Sequence, residues 1–137
     1  IQPVAAKGVE GVVEVFDQYA DGLADLDGFS HIYLLYHFHE ARGVELKVVP
    51  YMDTVERGVF ATRSPLRPAH IGLSVVELVQ VEGNRLHIRD VDVLEGTPVL
   101  DIKPYLHQFD SRENARTGWM KSSDTEIRRR RSDDRFA

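Results

Sequence analysis

The chain has 137 residues, of which 42% are apolar, 28% charged and 9% aromatic, the ordinary composition of one globular domain. It has no cysteine, which excludes a disulfide scaffold, a Cys-ligated zinc module and a thiol nucleophile. The net charge of −5 hides a split: residues 111–137 hold eight basic and five acidic groups, a local +3, leaving −8 on the first 110.

An acidic body argues against a broad nucleic-acid-coating face, although the basic tail can supply a local contact. No apolar stretch approaches the roughly 20 residues of a membrane helix. No signal-peptide pattern opens the chain, so no membrane association and a cytoplasmic place are expected. Ile1 stands where Met would, so an initial segment is expected to be missing.

Most of the chain reads as strands. Val9, Gly11, Val13 and Val15 alternate with Glu10, Val12, Glu14 and Phe16, a period of two. Residues 19–23 supply a turn in which Gly22 suits a positive φ. Residues 29–39, aromatic and β-branched on both sides, predict a central strand. Val44, Leu46 and Val48 predict a shorter one that stops at Pro50. Ile71, Leu73 and Val75 share a parity with Val79 and Val81, which predicts one long strand. Residues 82–85 are a turn signal, and alternation resumes over residues 86–93, completing a hairpin. Asp110 followed by Glu113 predicts a short helix starting there. Beyond Trp119 the charged, aperiodic sequence reads as a loose extension. Together these elements predict a mainly β fold, a compact β-barrel or sandwich with short helices.

Three constellations carry potential chemistry. His37 and His39 sit about 7 Å apart on one strand face, but no third metal ligand is evident. His31 lies too far along the strand to join them, and hydrogen-bonded pocket histidines are the simpler reading. Residues 58–74 place Arg63 and Arg67 in a Pro-rich loop between strands, a setting that suits a carboxylate or phosphate. Residues 90–105 hold Asp90, Asp92 and Asp101 amid apolar neighbours, where an unpartnered carboxylate is costly. Asp92 shares a strand face with Leu86 and Ile88, so it should point inward, either at a cationic partner or as a cap on the Gly96-Thr97 turn. Neither a Gly-rich phosphate loop nor a nucleophile elbow is present, which argues against a dinucleotide-binding α/β fold.

The strings Phe60-Ala61-Thr62-Arg63-Ser64 and Gly96-Thr97-Pro98-Val99, running on into Asp101-Ile102-Lys103-Pro104-Tyr105, closely resemble those of the TsaA-like (YaeB/TrmO) family. Asp21-Gly22-Leu23 and Gly28-Phe29-Ser30-His31 extend the resemblance, which runs from about Gln2 to Tyr105 and weakly to Gly118-Trp119. It implies a homodimeric, S-adenosyl-L-methionine-dependent methyltransferase on a compact β-barrel. The implied substrate is N6 of threonylcarbamoyladenosine beside the tRNA anticodon. Residues 1–110 would form the domain, and 111–137 a basic extension ordered by a partner subunit.

By position, the implied cofactor contacts are Gln2, Pro3, His39, Glu40, Arg63, Leu73 and the run Arg89, Asp90, Val91, Asp92. Asp101, Lys103 and Tyr105 are the candidates for handling substrate or its proton. One departure is Arg67-Pro68-Ala69-His70, where the family has Arg-Pro-Asn-Pro. The alternatives are a cofactor-binding module without transferase activity and, more remotely, a metal enzyme using His37 and His39.

Overall fold

The computed structural model of the chain describes residues 8–51 and 53–120. Its strands are β1 (Glu10–Glu14), β2 (His31–His37), β3 (Lys47–Val48), β4 (Arg57–Gly58), β5 (Ile71–Glu82), β6 (Arg85–Arg89) and β7 (Val99–Pro104), followed by one helical turn, α1 (His107–Asp110). Five strands form an antiparallel sheet in the order β1-β6-β5-β2-β7, and β3 pairs with β4 apart from it.

The fold is mainly β, as expected, but among the described residues the sheet is open. β1 and β7 are its two edges and no ladder joins them. The sequence reading of a barrel fails because the strands that form are too few and too short to bring β1 and β7 together. Residues 17–28 wind into two 3-10 segments, Asp17–Leu23 and Leu26–Gly28, and the predicted strand from Val44 shrinks to the two residues of β3.

β2 is interior, flanked by β5 and β7, because its alternating side chains bury on one face and half-bury on the other. β5 is long because it serves two partners, β2 up to Glu77 and β6 from Glu77 onward. The predicted hairpin is present, with Gly83 at φ 62 in its turn.

One face of the sheet carries the core. Ile32, Leu34 and Tyr36 of β2, Val76 and Leu78 of β5, Leu86 and Ile88 of β6 and Val13 of β1 are buried together, with Leu23 and Leu26 packed over them. Each fully buried Ile or Leu here contributes about 1.5–3 kcal/mol relative to exposure.

The parity of β5 differs from its hydropathy pattern. Gly72, Ser74, Val76 and Leu78 face the core, whereas Ile71, Leu73 and Val75 are 44%, 52% and 41% exposed. A bulge between Leu78 and Gln80 then flips the alternation, so Val81 packs on the core and Val79 stays exposed.

Three further expectations change. Gly22 is not among the positive-φ residues; Asp25 takes that role at φ 69, where the two 3-10 segments meet. β6 stops at Arg89 because Asp90 adopts φ 70. The helix ends at Asp110 instead of starting there, and the Asp110 carboxylate reaches back to accept from the Leu106 N–H.

Candidate functional site

Where β5 begins, a cleft of about 180 Å³ opens between Tyr36, Phe38, Thr62, Arg63, Arg67, Ile71, Gly72, Leu73 and Asp92. It lies at a loop-rich strand end, where a rigid sheet can aim side chains carried on loops. Gly72 shapes its floor. Tyr36 pairs directly with Gly72 across β2 and β5, and a Cβ on residue 72 would collide with the Tyr36 ring and meet the tip of Phe38 at 2.8 Å. The absent side chain is therefore what lets two aromatic rings, edge to face at 5.4 Å, lie over the strand.

Tyr36 and Asp92 are joined by a polar chain that runs from the buried core to the half-buried Asp92. The Tyr36 hydroxyl lies 2.8 Å from Ser74 Oγ, which lies 2.9 Å from Asp92 Oδ1. A carboxylate only accepts, so Ser74 donates to Asp92, and Tyr36 must donate to Ser74. Burial pushes the Tyr36 phenol above its ordinary value, and the nearby Asp92 charge adds to this, against the opposing pulls of Ser74 and Arg63. Tyr36 thus keeps its proton as donor. Asp92 Oδ2, at the far end, is buried and has no partner among the described residues, a costly state for a charged oxygen.

The two loop arginines, alike in sequence, do different work. Arg67 donates from one terminal nitrogen to the carbonyls of Thr62 at 2.8 Å, Ser64 at 3.3 Å and Val59 at 3.4 Å, and its guanidinium lies over the Phe60 ring. It is the loop's internal tie. Arg63 has no hydrogen bond or ion pair among the described residues, and it lines the cleft with Asp92 without pairing with it. His70, in the departure from the family string, adopts φ 52 and donates from Nδ1 to the Pro65 carbonyl at 2.9 Å, closing the same loop.

The loop is also held from behind. Trp119 Nε1 donates to the Ala61 carbonyl at 2.8 Å. Arg57 sits over its ring and pairs with Asp53 at 2.7 Å.

Of the sequence-predicted cofactor residues, Arg63, Leu73 and Asp92 come together at the cleft. His39 and Glu40 follow directly after its Phe38 wall and are exposed. Arg89 bridges Glu77 and Glu10, Asp90 accepts from the Gly8 N–H, and Val91 packs on the core. These three lie outside the cleft lining, while Gln2 and Pro3 lie outside the described residues.

Asp101, Lys103 and Tyr105 fall on or just after β7, alternating with half-buried Ile102 and Pro104. Asp101 opposes Leu35, which opposes Leu73, so Asp101 lies two strands, roughly 10 Å, from Leu73. Tyr105 packs edge-on against His31 and Tyr33. His37 meets His70 ring to ring at 6.2 Å. Among the described residues no group of three His, Asp or Glu could hold a metal ion, and no helix is long and apolar enough to cross a membrane. Thr97, not an aspartate, closes the Gly96 turn by bonding Leu94 O.

Sequence reading missed Tyr36, Gly72 and Ser74. A usable signal was present, because a glycine inside a strand marks a close backbone approach and a serine two residues on shares its face.

Comparison with known proteins adds the family. The chain is 55% identical over 136 residues to a probable S-adenosyl-L-methionine-binding protein of Pyrococcus abyssi, covering 99% of this chain and 74% of that one. It is 41% identical over 103 residues to the tRNA (adenine(37)-N6)-methyltransferase of Mus musculus, covering 73% of this chain but 24% of that protein. The crystal structure of TrmO from Pseudomonas aeruginosa matches with a TM-score of 0.70 at 41% identity, covering 88% of this chain and 53% of that one. This chain therefore spans about half the length of that solved structure. The model of the tRNA-methyltransferase O N-terminal domain matches residues 1–111. The chain belongs to the tRNA-methyltransferase O family through this N-terminal domain.

Proposed function

We propose that this chain is an S-adenosyl-L-methionine-dependent tRNA methyltransferase whose cleft holds the cofactor by its amino-acid head. One observation carries the reading: Arg63 and Asp92, of opposite charge and neither in a protein ion pair among the described residues, line the same cleft, and Asp92 Oδ2 is buried there without a hydrogen-bond partner. A zwitterion satisfies both. Its carboxylate suits the planar fork of Arg63, and its ammonium suits the orphaned carboxylate oxygen. The cleft's 180 Å³ falls below the roughly 300 Å³ at which pockets for drug-sized ligands begin, so it fits the head and leaves the nucleoside beside it. Leu73, exposed at the rim, offers an apolar surface for the adenine.

When bound, the cofactor supplies a methyl group on a cationic sulfur. The chain's part is then to align the acceptor and take its proton. Asp101, Lys103 and Tyr105, on or just after β7 at the far side of β2, are the residues proposed for substrate and proton handling, and N6 of threonylcarbamoyladenosine beside the tRNA anticodon is the proposed acceptor. The exposed outer residues Ile71, Leu73 and Val75, flanked by Tyr33 and Leu35, support a homodimer with a second copy against that face. The basic residues of the segment 111–137 add salt-dependent affinity for tRNA.

Calorimetry of the chain and its Arg63→Ala variant with the cofactor tests the site. Loss of a charge-assisted pair is expected to weaken binding by roughly ten- to a hundred-fold; unchanged affinity removes Arg63 from the site. Labelled cofactor offered with unmodified and with threonylcarbamoylated tRNA then tests the reaction, and transfer only to the second is expected. The Pyrococcus relative's name mentions binding alone, which favours a second reading, a cofactor-binding module. Binding with no transfer to either tRNA would establish it.

A further inference from the structure

The Tyr36–Ser74–Asp92 chain ends in a buried, unsatisfied oxygen, and its proton order follows from chemistry alone. Tyr36 is held by the missing Cβ of Gly72 and donates to Ser74, which donates to Asp92 Oδ1. Asp92 itself sits on irregular chain beyond β6. Its Oδ1 is anchored by Ser74, and among the described residues no other hydrogen bond to the carboxylate is seen. Ser74 is also buried, at 7% exposure, on a strand whose other core-facing neighbours are Gly72, Val76 and Leu78. A hydroxyl in that setting needs a reason, since a buried polar group costs unless bonded at both ends.

We infer that Ser74 is a positioning residue, which pins one carboxylate oxygen of Asp92 in the cleft wall and leaves the other as the acceptor that selects ligands bearing an ammonium group. This rests on the cofactor reading above and deepens it by assigning which ligand group each wall takes. With Oδ1 committed, the carboxylate cannot turn both oxygens to one guest, so it offers a single acceptor at a fixed point. A ligand with an N–H donor at that point relieves the orphaned oxygen; one that lacks it leaves the oxygen buried and unpaired. Discrimination between two such ligands is large because the penalty falls on the wrong one.

The test compares two stable ligands by calorimetry: S-adenosylhomocysteine and its analogue lacking the α-amino group. The chain should favour the amine by roughly ten- to a hundred-fold. In Ser74→Ala the preference should fall to within about threefold of unity, the loss falling on the amine-bearing ligand. Ser74→Cys, which keeps the volume but donates weakly, should lose most of the preference while melting like the parent, so a misfolded alanine variant does not decide the matter. Asp92→Asn should match them.

If the folded cysteine variant keeps the parent's preference, Asp92 is held without Ser74 and the inference is overturned. If the parent binds both ligands equally, the ammonium assignment is overturned while the cofactor reading stands. If it binds neither, the cofactor reading itself falls, and this inference with it.

Discussion

The two faces of β5 differ in a way that hydropathy alone reverses. The outward residues Ile71, Leu73 and Val75 are the more apolar set, yet they are about half exposed. The inward set contains Gly72 and Ser74 and is buried. Facing was decided by what each position must accommodate. Gly72 has to lie under the Tyr36 ring, Ser74 has to reach both Tyr36 and Asp92, and a strand cannot turn one residue without turning its neighbours. The inner face therefore carries the core and the polar chain, and the outer face is left with unpaired apolar surface, the mark of a partner or ligand surface.

The largest expected effect comes from filling the inner face where it has no room. In Gly72→Ala the new methyl meets the Tyr36 and Phe38 rings, both within 2.8 Å of its position. Both rings must shift, and overpacking of this kind costs about 3 kcal/mol. Denaturant titration should report that loss. A Gly72→Ala, Tyr36→Leu double variant should recover part of it, because the methyl then has space. Additive losses would mean that the glycine is not there for the ring.

Truncating adjacent residues of β2 compares the faces directly. Leu34 is 1% exposed on the core side, so Leu34→Ala should cost about 3 kcal/mol at any protein concentration. Leu35, half-buried on the outer side against Leu73 and Asp101, should cost less than about 1 kcal/mol in dilute solution. The second loss should grow as concentration rises if a second copy covers that face. Equal, concentration-independent losses would break the distinction between the faces.

Where local rules decide, the sequence is legible: the central strand β2 and the Gly83 hairpin follow from alternation and a turn signal, whereas Arg63, Leu73 and Asp92 are named together only by the family resemblance. The failures are non-local. Nothing in the loop's own sequence says which arginine folds back, because Arg67 is chosen by three carbonyls whose directions depend on the turn Val59–Ala61. The most apolar residues of β5 suggest one parity, whereas a bulge and a cross-strand ring set another. Evenly spaced short strands suggest a barrel, but closure needs the edges β1 and β7 to pair, a non-local event no local pattern encodes, and the strand expected from Val44 comes down to two residues.

The smallest expected effect concerns the support behind the cleft's arginine loop. The hydrogen bond from Arg57 is the main cause holding the Asp53 carboxyl below its ordinary value, helped by the N–H groups of Thr54 and Val55 and opposed by desolvation. Because the folded value is depressed, the stabilisation is fully present above the ordinary carboxylate range, near pH 4. It is lost as pH falls through the folded value. Trp119 is the only tryptophan in the chain, and Arg57 lies over its ring at 5.9 Å, so its emission should report the release of Arg57 when Asp53 is protonated. The parent should show an emission change below about pH 4 that Asp53→Asn lacks, its spectrum at neutral pH already resembling the parent's in acid. If the two proteins titrate alike, Asp53 does not govern the Trp119 contact. If instead the change appears and cofactor affinity at neutral pH is the same in both, Arg63 is aimed by the Arg67 tie alone, and the inner-face cleft owes nothing to the lock behind it.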